Sequence, residues 1–171
     1  MWDEIATGAA YESTLWEEAL RPEAERELVP VFSPLADERY GVGLETIYEG
    51  YLVHYGTSRL FAPPDPDVSL LLGDYLYAHG LVRIAAFGET ELVADLSELI
   101  SLCSQLRAEK IDGDGPLWAA TAVLLGAGPT LERARAALRL HGDAAPLEAA
   151  ARAAAGDEAV DRALAAHLRL R

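Results

Sequence analysis

Cysteine is almost missing from this chain: Cys103 stands alone among 171 residues. One cysteine can form neither an internal disulfide nor a cysteine-based zinc site, and it fits a reducing cytosol. Positive charge is scarce too. Lys and Arg number 14, with Lys110 the only lysine, against 28 Asp and Glu, for a formal charge of −14. A surface of that sign repels phosphate backbones and anionic headgroups, so binding of nucleic acid or a membrane surface through charge is disfavoured. The opening MWDEIATG lacks the basic and apolar regions of a signal peptide. Residues 68–87 come nearest to a membrane span, but Asp74, His79 and Arg83 within them are costly in hydrocarbon. These absences predict a cytoplasmic protein.

Catalytic motifs are equally thin. His54, His79, His141 and His167 lie far apart and show no metal-ligand spacing. Ser13, Ser58 and Ser69 have no elbow motif around them, and no phosphate-cradling glycine loop occurs. Cys103 falls on the apolar face of its segment, where a thiol is an inert small hydrophobe. No run alternates long enough to form a strand, and no repeat period stands out.

What remains is helical. With 51% hydrophobic residues the chain can bury a core, and its length suits one domain, 1–171. Residues 1–34 read as an N-terminal helix, amphipathic over 11–28, and a loop broken by Pro22, Pro30 and Pro34. A helix follows over 35–56, although Gly41, Gly43 and Gly50 each cost it about 1 kcal/mol relative to alanine. RLFAPPDPD is a loop, with Asp67 placed to cap a helix from 68 to 87. Residues 90–110 carry a one-faced 3.6-residue period, and 116–128 are apolar all round with Pro116 at the first helical position. Ala-rich helices over 129–171 form a peripheral layer or a partner surface.

Two acid pairs invite a metal. Asp65 and Asp67 are separated by Pro66, so no helix aligns their carboxylates, and they serve loop and cap. Asp112 and Asp114, in DGDG, begin like a calcium loop. The twelfth position, where a glutamate is needed, is Val123, so they form a turn.

The most telling stretch is VSLLLGDYLYAHGLVRIAA, from 68 to 86. Apolar on all sides, it reads as a helix buried on all sides, whose Asp74 must be hydrogen-bonded. Leu71, Tyr75, Ala78, Val82 and Ala85 recur at helical spacing and, with Asp74, form a candidate interface seam.

Its pattern, an apolar run, Gly73-Asp74, then aromatic and small residues, resembles the trans-polyprenyl diphosphate synthase family. The resemblance spans about 35–128, a prenyl-synthase-like core. ETIYEGYLVHYGTSRLF stands where the family's first Asp-rich helix would be, offering Glu45, Glu49, His54 and Tyr55, with Arg59 left from the basic loop. Gln105 and Thr121 stand near the family's Gln and Lys-Thr positions, but the lysine is absent and no two aspartates are adjacent.

The resemblance therefore implies an all-α, shortened isoprenoid-synthase-like bundle without the clamp that ionises an allylic diphosphate. It is closest to the small, non-catalytic component of two-component heptaprenyl and hexaprenyl diphosphate synthases. Such a component has no cofactor of its own, Mg²⁺ being held by the catalytic subunit it pairs with, and it supports quinone side-chain synthesis. The alternative is a self-associating helical scaffold, or an apolar-ligand-binding protein, whose seam pairs with itself as a homodimer. An enzyme built on Glu45, Glu49, Asp65 and Asp67 is disfavoured by their spacing and by the shortage of cations.

Overall fold

Proline, glycine and short polar caps cut the chain into helices. The computed structural model describes all 171 residues and contains no strand. Its helices are α1 (Trp2–Glu12), α2 (Thr14–Glu18), α3 (Gly41–Tyr55), α4 (Pro66–Ala85), α5 (Thr90–Glu109), α6 (Asp114–Val123), α7 (Pro129–His141), α8 (Ala145–Ala155) and α9 (Asp157–Leu170). No helix is long and apolar enough to cross a membrane.

The boundaries correct several expectations. The first helix starts at Trp2, and no helix spans 11–28. Ser13 breaks it by adopting an extended backbone and accepting a hydrogen bond from the Leu15 amide, which starts α2 afresh. The cap of α4 is Asp65, not Asp67: its Oδ1 accepts from the Val68 amide at 2.9 Å, and Pro66 takes the first turn, where a missing N–H costs nothing. Helix α6 begins at Asp114, two residues before Pro116, so the second half of DGDG is helix rather than turn.

The helix buried on every side is α3, not α4. Every residue from Gly43 to Leu52 is buried, glutamates included. Tyr48 and Tyr51 of α3 meet Trp118 of α6 edge-on, at ring-centre distances of 5.0 and 5.8 Å. On its other side α3 interlocks with α4 through glycines. Gly43 faces the Ile84 side chain, Gly50 faces the Tyr77 ring, and Gly80 leaves room for Ile47. Without these side chains the two backbones can approach closely.

A methyl group at Gly80 would lie 2.5 Å from Ile47 Cγ1 and 3.0 Å from the Gly43 carbonyl. One of those neighbours is backbone and cannot rotate away. Gly80→Ala should therefore destabilise the fold by about 1–3 kcal/mol through overpacking, less the roughly 1 kcal/mol that alanine gains in helix propensity. Denaturant unfolding checks the sign, since a surface glycine would give stabilisation instead.

The main core joins α3, α5 and α6 to the Ala-rich helices, which cover α6 with Leu131, Leu138, Leu147, Val160 and Leu170. A smaller core, Ile5, Trp16, Leu60, Phe61, Leu72 and Leu76 among its members, fastens α1 and α2 to the inner face of α4. A single antiparallel bridge between Leu20 and Phe61 ties the two intervening loops together.

Candidate functional site

Only one side of α4 is used by these cores. Leu72, Gly73, Leu76, Tyr77, Gly80 and Ile84 are buried. The opposite flank is wet in the single chain: Leu71 is 55% exposed and Val82 66%, and Asp74, Ala78 and Ala85 are exposed along the same flank. Leu70, next to Leu71, is equally open. Tyr75 differs from its predicted seam partners. It is half-buried, stacked on Trp16 and His79, with its hydroxyl donating to the Gly8 carbonyl at 3.4 Å. Five of the six predicted seam residues thus share one open face, and Tyr75 fastens that face to α1 and α2. With Leu70, Leu71 and Val82 open to water, this flank is the exposed apolar side of α4.

The Gly73-Asp74 pair has a local reason. The His54 ring from α3 lies where a Gly73 side chain would stand, and its Nε2 is 3.2 Å from Asp74 Oδ1. Asp74 is not an interior acid: it stands at the surface and pins a nearly buried histidine. Burial lowers the pKa of His54, and the Asp74 carboxylate opposes that shift.

Glu45 and Glu49 lie four residues apart on α3 and so share a face, as a metal-gripping pair must. Both are fully buried, and what they grip is Arg59. Its Nη2 is 2.7 Å from Glu45 Oε2, and its Nε donates to Glu49 Oε1 at 2.6 Å. Val31 and Ser33 amides donate to Glu45, each at 3.1 Å, and Ser58 Oγ donates to Glu49. The Trp2 ring covers the guanidinium, 4.6 Å from its centre. Burial lowers the Arg59 pKa, but the two glutamates outweigh it and raise the value. Carboxylates committed in this way do not fit a magnesium–diphosphate clamp. The other aligned positions are also engaged within the chain. Tyr55 donates to Ser104, Gln105 to Glu109, and Thr121 accepts from the buried Arg135. Cys103 is fully buried, which pushes its thiol pKa up.

Sequence spacing gave no sign of a second polar cluster. Asp114, at the start of α6, is buried and accepts a hydrogen bond from Tyr51. Arg171 Nη1 lies 3.0 Å from its Oδ1, and His167 Nε2 lies 3.5 Å from its Oδ2. His167 in turn shares a 2.8 Å hydrogen bond between its Nδ1 and the Tyr48 hydroxyl. One signal was present: a charge entering an otherwise apolar helix. Its partners come from α3 and α9, too distant in sequence for any spacing rule to join.

Burial raises the Asp114 pKa, but His167, the Tyr51 hydrogen bond and the Arg171 charge together hold it at about 2, against an ordinary 3.8. A depressed carboxylate stabilises the fold above its unfolded pKa, and that contribution is lost as pH falls through the folded value. The protein should thus lose about 2 kcal/mol at this site between roughly pH 4 and pH 2. Thermal unfolding across that range, wild type against Asp114→Asn, isolates the site: the difference between them should shrink toward acid.

No family model, curated protein or solved structure matches the chain.

Proposed function

We propose that the chain is a non-catalytic subunit that pairs, through the outer flank of α4, with a catalytic trans-polyprenyl diphosphate synthase in the cytoplasm. The observation that carries this reading is the open row of Leu71, Asp74, Ala78, Val82 and Ala85 on a helix whose other side is locked into two cores. Such a row is costly in water and is relieved by a second surface. The resemblance over 35–128 supplies the kind of surface, and the burial of Glu45 and Glu49 against Arg59 supports a role without catalysis. The subunit's part is then to complete and steady its partner, whose own aspartates hold Mg²⁺ and diphosphate.

The test is reconstitution. The chain should co-purify with a DDxxD-bearing synthase subunit from its own organism, and mixing the two should raise prenyl-elongation activity that neither shows alone. Elongation by the isolated chain, or indifference of the synthase to its presence, would end the proposal. A second reading, pairing with another copy, draws on the exposed Leu71, Ala78, Val82 and Ala85, which lie on one flank and would face the same residues of a second chain. The mass of the isolated chain in solution tests it.

A further inference from the structure

A cleft of about 390 Å³ opens between the start of α6, α8 and the end of α9, away from the flank of α4. That volume lies within the range of small-molecule sites. One wall is apolar, formed by Leu164 and Leu168, and Leu168 is 66% exposed. The other wall is acidic: Asp112 and Asp114 face the Arg171 guanidinium at 2.6 and 3.0 Å, while Arg107 Nη1 lies 3.9 Å from the second Asp114 oxygen, Oδ2, and leaves Oδ1 to Arg171. Glu148 completes the rim and is already held by Arg152 at 2.7 Å.

Two atoms at the floor lack a hydrogen-bond partner, although their residues are at least nine-tenths buried. They are Asp114 Oδ1 and His167 Nε2. Arg171 reaches Asp114 Oδ1 as an ion pair but without hydrogen-bond geometry. A buried acceptor left in this state is unfavourable, and a better-placed donor relieves it. Arg171 is the more accessible partner, with its side chain 23% exposed against 1% for Asp114.

We propose that this cleft binds a small organic cation with a guanidinium or ammonium head and a short apolar tail. The head replaces Arg171 on Asp114 and stays within reach of Asp112, while the tail lies along Leu164 and Leu168. Arg171 then acts as an internal stand-in for the ligand, holding the site closed until a cation displaces it. Charge-assisted contacts of a planar guanidinium to a carboxylate supply both strength and orientation.

The probe is n-butylguanidinium, with neutral N-butylurea as its isostere, titrated by calorimetry and by amide chemical shifts. Wild type should show saturable shifts at Gly113 and Gly115 with the cation and none with the urea. Arg171→Ala, which removes the stand-in, should bind the cation at least tenfold more tightly than wild type, and Asp112→Asn added to it should reverse most of the gain. Equal binding of cation and urea, or equal affinity of wild type and a folded Arg171→Ala, overturns the proposal. Should Arg171→Ala fail to fold, absence of the wild-type shifts overturns it alone. None of these readouts involves α4 or a synthase, so the subunit reading stands or falls separately.

Discussion

Replacing Arg59 with methionine should cost the protein about 3–5 kcal/mol of stability, more than any other single change considered for this chain. Removing the guanidinium leaves Glu45 and Glu49 facing each other in an interior from which both are fully excluded from solvent. The carboxylates keep some partners: Val31 and Ser33 amides for one, the Ser58 hydroxyl for the other. Those donors carry no full charge, so two like charges remain unbalanced. For a chain of this length each kcal/mol shifts the unfolding midpoint by about 2–4 °C, which predicts a fall of roughly 6–20 °C. The control is the triple change Glu45→Gln, Glu49→Gln and Arg59→Met. It removes all three charges while leaving carbonyl acceptors for the same donors, and it should recover most of the loss. A triple variant no better than Arg59→Met would show that guanidinium packing under Trp2, rather than charge pairing, holds this corner together.

If the proposed pairing holds, Ala78→Arg should weaken association with the proposed catalytic subunit about 100-fold, equivalent to about 2.7 kcal/mol, and leave unfolding of the isolated chain within about 0.5 kcal/mol of wild type. Ala78 sits midway along the open flank, between Asp74 and Val82, where a small residue allows a facing helix to approach. A long charged side chain there blocks that approach, yet in the free chain it projects into water. His141→Arg, an exposed change at the end of α7, serves as the control and should leave association unchanged. Equal weakening by both variants would point to a general charge effect instead of a defined surface.

The class of the fold was readable from periodicity, and the reason is local: 3.6-residue spacing, prolines near helix starts and glycines near helix ends act within a few residues. Which helix lies innermost was not readable. Helix α4 is apolar all round and so resembles a central helix, whereas α3 carries two glutamates and three glycines and resembles a poorer one. The order is reversed because Arg59, ten residues beyond Glu49, folds back to neutralise the acids, and the glycines admit the side chains of α4. Neither effect leaves a periodic trace. Helical spacing groups Leu71, Asp74, Ala78, Val82 and Ala85 on one face, but on a helix expected to be buried all round; that this face lies open in the single chain, and that Tyr75 is held by Trp16, are set by tertiary packing. Asp114 reads as part of a turn because DGDG begins like a calcium loop but has Val123 where the glutamate is needed. Its partners His167 and Arg171 lie more than fifty residues away and meet it only once α9 packs against α6.

The central claim is that the open flank of α4 seats a catalytic synthase subunit. Sedimentation of the 18.4 kDa chain mixed with that subunit tests it most directly. A stable complex of the two chains, lost on Ala78→Arg, is the predicted result; an 18.4 kDa species that sediments unchanged at every concentration of the synthase would contradict it.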